Sequence, residues 1–327
     1  MVVPETARQW AIGTFGSVEA VETQTIVTVT NPVTMESALF NPLRASRPVT
    51  VTPGDLSQII EESRGDPFCH PEDATPEDVF GRVRGRHSIT ASNAAKYAPF
   101  HGLVIFDEHD PLQLSEDRVK DYLGVGQRWA LEALRVDPEA KYYFFAWNAL
   151  WSGGASVVHG HAQVSCVRHA HYARVEMFRR AALGYRTQSG SDYFEDLLRV
   201  HEALGLTVEH EGVSVVAHLT PVREKEVLIL SDTLSDALAA AAYRVLDCLM
   251  TMLEVRSFNL VVYTPPLAPT PENWSGFPCM VRIVDRGDPM KRTNDVGAME
   301  LYASPVITTD PFRLIEALRE RFATAKD

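Results

Sequence analysis

The sequence predicts an α+β protein made of two tandem modules, each with an antiparallel sheet and a packed helix. The order strand, helix, strand, strand occurs twice along the 327 residues, and the two helices have similar lengths. The copies match in pattern rather than in residue identity, which is typical of an old duplication. We therefore divide the chain into residues 1–190 and 191–327.

The first module begins with an apolar run at 101–107, which predicts a strand. Ser115 is followed by two acidic residues, as is typical of a helix N-terminus, and apolar positions then recur at helical spacing as far as Leu134. Two further strands follow, at 141–147 and 158–164, with a turn of small residues between them.

The second module repeats this order. A strand at 226–230 precedes a helix that starts near Ser235 and runs to about Glu254. The run at 258–263 is the next strand, and the run at 279–284, after a proline-rich loop, is the last.

Composition excludes some functional classes. The chain is 45% hydrophobic and 23% charged, which is ordinary globular usage. The formal charge of -12 argues against a general nucleic-acid or anionic-membrane binder. Four scattered cysteines and the lack of a signal-peptide pattern at the N-terminus favour a reducing, cytoplasmic location. The most apolar helical stretch is interrupted by Arg244 and Asp247, so no membrane span is expected.

The most informative segment is V-H-G-H-A-Q-V at 158–164. Alternate residues of a strand point to the same side, so His159, His161 and Gln163 are predicted to share one face. A neutral imidazole is a good nucleophile near pH 7, and a neighbouring carboxamide can donate a hydrogen bond to a phosphoryl oxygen. Two structural histidines, or a metal clip, explain the segment equally well.

The segment before it is rich in small residues. An aromatic strand ends at Asn148, and Trp151-Ser-Gly-Gly-Ala-Ser156 follows. Small residues let backbone N–H groups approach an anion closely. The loop is thus a candidate phosphate site, and an ordinary hairpin connection is the alternative.

Together these residues form N-x(10)-H-x-H-x-Q, with glycine and serine before the first histidine. This pattern resembles the histidine-triad superfamily, most closely its galactose-1-phosphate uridylyltransferase-like branch. The resemblance implies that His161 is a nucleophile that carries a nucleotidyl group and that Gln163 contacts the phosphate. It also implies that Asn148, Gly154 and Ser156 line a phosphate-binding loop.

The resemblance implies a structural zinc site. Residues 66–76 are similar to the segment that begins the family's zinc site, and the matching ligands are Asp66, Cys69, His109 and His159. Asp66 replaces a cysteine of the family pattern, and a carboxylate can bind zinc through oxygen. The alternative is that Cys69 is a free buried thiol and that His109 caps a loop.

Further substrate-binding residues follow from weaker parts of the resemblance. N-P-L-R-A-S-R-P at 41–48 is similar to a family segment whose arginines, here Arg44 and Arg47, reach substrate phosphates. Asn93 falls where the family has a strand that contacts the base and ribose, and Glu300 falls where the family's sugar contacts would come from and could hold a sugar hydroxyl. Solvated surface side chains are the alternative for Arg44, Arg47 and Glu300.

The second module lacks the histidine chemistry and is expected to be a degenerate copy. Val281, Arg282 and Ile283 stand where the first module has its histidines and glutamine, and the second metal cluster of the family is missing. His169 and His171, just past the motif, are expected on the surface.

The prediction is a nucleotidyltransferase that moves an NMP group between a nucleotide sugar and a sugar 1-phosphate through a covalent intermediate on His161. The first alternative is a phosphorylase of nucleotide sugars or dinucleoside polyphosphates that uses inorganic phosphate. The second is a nucleotide-binding protein without turnover. Base, sugar and oligomeric state, including a homodimer, are left open by the sequence.

Overall fold

The structure is a computed structural model that describes residues 1–292 and 295–324. It is α+β, with antiparallel strands and packed helices, as expected. The helices are α1 Arg8–Phe15, α2 Val18–Glu22, α3 Leu56–Glu62, α4 Pro71–Ala74, α5 Glu116–Val136, α6 Ala173–Ser189, α7 Tyr193–Ala203, α8 Asp236–Thr251, α9 Ala298–Tyr302 and α10 Pro311–Ala323. The strands are β1 Val27–Thr30, β2 Ser37–Phe40, β3 Ser88–Ser92, β4 Phe100–Phe106, β5 Tyr142–Asn148, β6 His161–Val167, β7 Thr207–His210, β8 Val213–Ala217, β9 Val227–Ser231, β10 Phe258–Tyr263, β11 Cys279–Asp285 and β12 Val306–Ile307.

Among the described residues, the strands of both halves form one nine-stranded antiparallel sheet rather than two sheets. Its order is β3-β4-β6-β5-β10-β11-β9-β8-β7. The halves meet at the β5–β10 pair, where Asn148 lies opposite Asn259 and Phe144 lies opposite Tyr263. Read outward from this pair, β5-β6-β4-β3 on one side corresponds to β10-β11-β9-β8 on the other. The domain boundary after residue 190 stays a prediction.

One face of this sheet is covered by α5, α8 and α10. Ser115 caps α5 as expected, since its hydroxyl accepts a hydrogen bond from Arg118 N. The apolar side of α5 is buried against the sheet, and Trp129 packs directly on β4 because Gly102 has no side chain. A Cβ at Gly102 would lie 2.8 Å from the Trp129 ring.

The opposite face is covered only in part. There α6 and α7 place Phe178, Tyr193 and Phe194 in a second apolar cluster with residues of β8–β11. A small sheet, β1-β2-β12, packs nearby, with β12 parallel to β2. The part of this face over β4, β6 and β5 carries the candidate site, and Phe68 packs on it beside Leu103 and Ile105. None of the described helices is long and apolar enough to cross a bilayer.

Two local predictions differ from the structure. The histidine strand starts at His161 instead of Val158, because the His159 ring is held outside the sheet, with Nε2 2.9 Å from the Phe106 carbonyl. His169 is exposed, but His171 is buried against Tyr142 and Trp274. This burial lowers the pKa of His171 to about 4.

Candidate active site

The site lies where β6 and β5 adjoin, on the face of the sheet that points away from α5. Ala162, Val164 and Cys166 of β6 point into the core, so His161 and Gln163 occupy the other face. Gln163 lies opposite Ala146, and His161 therefore lies beside Asn148 at the end of β5. The predicted nucleophile, its neighbouring carboxamide and the start of the small-residue loop are thus brought together.

His161 has its two ring nitrogens in different surroundings. Nδ1 is 2.8 Å from the carbonyl oxygen of His159, which can only accept, so Nδ1 carries the proton and Nε2 keeps a lone pair. Burial lowers the pKa of His161, which favours the neutral ring. Phe68 packs edge-on against the ring, with centroids 5.0 Å apart. This tautomer is the one that a nucleophilic histidine requires.

Gln163 is oriented by two residues of the first half. Its Oε1 lies 3.0 Å from His101 Nε2 and accepts a hydrogen bond of 3.1 Å from the Tyr97 hydroxyl. The Tyr97 ring covers His101, with centroids 3.9 Å apart. With its oxygen occupied, the carboxamide leaves its NH2 group available to a ligand.

Asn93 lies beside this pair. Its Oδ1 accepts a hydrogen bond from Ala95 N, and its Nδ2 is 3.2 Å from His101 Nε2. The structure therefore places Asn93 next to the groups that hold Gln163. A contact of Asn93 with base or ribose stays a prediction.

The small-residue loop is a tight turn. It contains a 3₁₀ turn, Trp151–Gly153, and then Gly154 with φ of 96°. A Cβ at Gly153 would lie 2.9 Å from the Phe258 carbonyl, so the loop sits directly on β10. Ser156 is exposed further along the same loop.

Arg44 and Arg47 face this loop across a cavity of about 790 Å³, which Gly154 and Arg286 also line. The 3₁₀ turn Pro42–Ser46, capped by the Asn41 side chain, presents both arginines. Neither guanidinium forms an ion pair within the described part of the chain. Both also line an adjoining cavity of about 360 Å³ together with Glu300. Neither cavity is lined by His161 or Gln163.

The four predicted metal ligands form one cluster. The ligand atoms of Asp66, Cys69, His109 and His159 all lie within 4.8 Å of one another, and both histidines are buried. Cys69 Sγ is 3.5 Å from Nδ1 of each histidine, and Asp66 Oδ2 is 3.7 Å from His109 Nδ1. These spacings suit four donors around one tetrahedral ion.

The protonation of the two histidines supports a cation in this cluster. His159 Nε2 donates to the Phe106 carbonyl at 2.9 Å, and His109 Nε2 donates to the Ile60 carbonyl at 3.0 Å. Each Nδ1 is then a bare lone pair, yet the two Nδ1 atoms are only 3.1 Å apart. Two such lone pairs repel each other unless a proton or a metal ion lies between them, and carbonyl partners of this kind are typical around metal-bound histidines.

Comparisons with known proteins place the fold. No family model matches the sequence, and no curated protein matches it either. Three solved structures are similar over nearly the whole chain. An ADP-glucose phosphorylase from Arabidopsis thaliana, with bound ADP-glucose, is 19% identical, with a TM-score of 0.69 over 91% of this chain and 99% of that one. A GalT-like protein from Arabidopsis thaliana is 18% identical, with a TM-score of 0.65 over 90% and 98%. A uridylyltransferase is 16% identical, with a TM-score of 0.63 over 93% and 100%.

The chain therefore shares the fold of an ADP-glucose phosphorylase, a GalT-like protein and a uridylyltransferase. The resemblance seen in the sequence is thereby confirmed at the level of the fold. At sequence identities below 20%, the roles of residues in these structures cannot be transferred to this chain. The roles of the site residues are therefore argued from the geometry of this chain.

Sequence reasoning missed the residues that hold the site in place. His101 and Tyr97 hold Gln163, and Asn259 and Arg286 hold Asn148. His101 lies on the same face of a predicted strand as Leu103 and Ile105. Asn259 is a polar residue within the apolar run of another predicted strand. A polar residue inside a strand pattern was the available signal, but its partner is set only by the fold.

Proposed function

We propose that the protein is a nucleotidyltransferase in which His161 accepts an NMP group from a nucleotide sugar and passes it to a sugar 1-phosphate. The observation that carries this proposal is the His161 ring itself. Its Nδ1 donates to the His159 carbonyl at 2.8 Å, which leaves a lone pair on Nε2, and burial lowers the pKa of the ring. The ring shares a strand face with Gln163 and lies beside Asn148 of the neighbouring strand.

The reaction proceeds by two displacements. His161 Nε2 attacks the α-phosphorus, a P–N bond forms, and the bond from phosphorus to the leaving phosphate oxygen breaks. An acceptor phosphate oxygen then attacks the same phosphorus, and the P–N bond breaks to regenerate His161. The Nδ1 proton stays in place throughout, where the His159 carbonyl stabilises the positive charge of the phosphorylated ring. Donors from Gln163, Asn148 and the Gly154 loop stabilise the equatorial oxygens.

The remaining substrate contacts fit the cavities. Arg44 and Arg47 have no ion pair with any described residue and line the cavity with Gly154, so they suit the phosphate that does not react. Glu300, whose Oε2 accepts a hydrogen bond from Gly297 N, lines the adjoining cavity and suits a sugar hydroxyl. The leaving group is itself a phosphate, so the reaction needs no strong general acid.

We infer that Asp66, Cys69, His109 and His159 hold a structural zinc ion. A closed four-ligand site of this kind stabilises the fold and does not take part in chemistry. Its role here is to fix the segment just before His161.

We also infer that the second half is a degenerate copy of the first. In the sheet, Gln163, Ala146, Val261 and Arg282 lie side by side on β6, β5, β10 and β11. Arg282 thus occupies the place in the second half that Gln163 occupies in the first. By the same register, Met280 occupies the place of His161, and its side chain has no imidazole nitrogen to carry a nucleotidyl group.

A phosphorylase is the second candidate. One similar structure is an ADP-glucose phosphorylase, and its fold match covers 91% of this chain. Inorganic phosphate as acceptor would leave the first displacement at His161 unchanged. The two functions therefore differ only in the acceptor, and a screen of phosphate against sugar 1-phosphates separates them.

The test is intact-mass analysis after incubation with a panel of nucleotide sugars, beside the His161→Ala variant. We expect the wild type to gain one nucleotidyl mass, which also identifies the base, and the variant to gain none. The variant should remain folded, since it loses one hydrogen bond, at about 1–3 kcal/mol for the buried carbonyl left unsatisfied. An adduct that persists in His161→Ala would overturn the covalent mechanism. Binding without any adduct would favour the non-catalytic alternative.

A further inference from the structure

A chain of hydrogen bonds runs from the second half into the phosphate-binding loop of the first. Arg286 follows β11, and its guanidinium pairs with Asp295 through Nε–Oδ2 at 2.7 Å and Nη2–Oδ1 at 2.9 Å. Its third nitrogen, Nη1, donates to Asn259 Oδ1 at 2.5 Å. Asn259 lies on β10, opposite Asn148 of β5.

The chemistry of these groups sets the direction of each bond. A guanidinium has no acceptor, so the oxygen of Asn259 must face Arg286 and its NH2 must face the other way. That NH2 donates to Asn148 Oδ1 at 2.7 Å and to the Gly153 carbonyl at 2.7 Å. The oxygen of Asn148 is thereby occupied, and its own NH2 is directed away from Asn259. A Cβ placed on Gly154 would lie 3.9 Å from this nitrogen.

We propose that Asn259 and Arg286 are positioning residues for nucleotidyl transfer, and this proposal rests on the function proposed above. They fix the carboxamide of Asn148 with its donor toward the Gly154 loop. The second half, which has Met280 at the place of His161, thus supplies the groups that orient the phosphate donors of the first half.

Orientation matters because a carboxamide presents a donor on one side and an acceptor on the other. Without Asn259, Asn148 is free to turn its oxygen toward the substrate, where it would repel a phosphoryl oxygen. Removal of one preorganised donor typically slows a reaction by about 10²- to 10³-fold. We expect Asn148→Ala to fall in this range and Asn259→Leu to slow the reaction by about 10-fold or more.

A double-mutant cycle tests the proposal. The nucleotidylation rate of His161 is measured at saturating donor for Asn148→Ala, for Asn259→Leu and for the double variant. If Asn259 acts through Asn148, the double variant is no slower than Asn148→Ala alone. If the two effects multiply, Asn259 acts by another route and the proposal is overturned.

The Asn259→Asp variant supplies a second test if Asn259→Leu does not fold. Aspartate keeps an acceptor for Arg286 but has no donor for Asn148, so Asn148 should flip. We expect Asn259→Asp to slow the nucleotidylation of His161. In the Asn148→Ala background, the same substitution should cause no further slowing. A simple charge effect on the phosphate would persist in that background and would overturn the proposal.

The outcome for wild type separates the two proposals. If no adduct forms at all, the proposed function is wrong. The cycle is then carried out on the dissociation constant of a nucleoside monophosphate, where the same non-additivity should appear. Additive effects on that constant would overturn the positioning role as well.

Discussion

At the scale of single residues, Gln163 shows how a side chain becomes a fixed donor. Its oxygen is held by Tyr97 and His101, and burial lowers the pKa of His101, so that ring is neutral. The free NH2 group then stands two residues from His161 on the same strand face. A donor held in this way needs no rearrangement when charge develops on a phosphoryl oxygen.

We expect Gln163→Ala to lose about 2–4 kcal/mol of transition-state stabilisation while donor binding changes little. Single-turnover nucleotidylation rates, compared with the donor dissociation constant, measure the two effects separately. Ser165→Ala is the matched control, because Ser165 shares the strand face but bonds to the Tyr172 hydroxyl.

In Gln163→His, we expect the covalent intermediate to partition more toward water. Unchanged partitioning would argue against Gln163 as the residue that favours transfer.

At the scale of elements, the approach to β6 depends on Gly160. Its N–H donates to the His109 carbonyl at 3.0 Å, and its own carbonyl accepts from Phe106 N at 3.0 Å. A Cβ at this position would lie 2.7 Å from the Phe106 ring and 3.0 Å from the Glu108 carbonyl. Gly160 therefore allows the segment that carries His159 to approach the segment that carries His109.

We expect Gly160→Ala to destabilise the protein by about 1–3 kcal/mol through overpacking, and to weaken metal retention. Chemical denaturation and metal content measure these effects. Gly184→Ala is the control: nothing lies within 4 Å of its Cβ position in α6, so it should be neutral or slightly stabilising. Equal stability of the two variants would show that the segment relaxes around the added methyl group.

The metal cluster joins segments that are far apart in the chain. Asp66 has two roles, because its Oδ1 accepts from Phe68 N while Oδ2 faces the cluster. We expect about one zinc per chain by elemental analysis, lost in Cys69→Ala, with a fall in thermal stability larger than any fall in nucleotide affinity. Asp66→Cys should hold zinc against a chelator more strongly, since thiolate is the softer ligand. A fully stable and active protein without metal would refute the site.

Elements with strong local signals could be predicted from the sequence. The strand 258–263 agrees with β10, and the Ser235 cap agrees with the start of α8, because alternation and capping are local properties. The start of β6 could not be predicted, since His159 is drawn out of the strand by Phe106 and the cluster, which lie elsewhere in the chain. The same holds for the site: motif residues were found, but the partners of Gln163 and Asn148 depend on strand pairing.

At the scale of the whole molecule, one sheet is formed by both halves, and a buried charge cluster ties the N-terminal hairpin to it. Arg282 on β11 pairs with Glu226 at 2.6 Å and with Glu36, which lies between β1 and β2, at 3.0 Å. Burial alone would raise the pKa of Glu36, but Arg282 and His218 outweigh it and lower the pKa to about 2. Glu36 therefore stabilises the fold above its ordinary pKa, and this contribution is lost as the pH falls toward 2.

We expect Arg282→Met to destabilise the protein by about 3–5 kcal/mol at pH 7, because two buried carboxylates lose their counter-charge. Without Arg282, burial raises the pKa of Glu36, so protonation relieves part of the penalty as the pH falls. The loss of stability in denaturant unfolding should thus be smaller at pH 5 than at pH 7. Arg135→Met is the control, since its pair with Glu132 is largely exposed and should contribute at most about 1 kcal/mol. A penalty that does not change with pH would mean that lost packing, rather than uncompensated charge, dominates at Arg282.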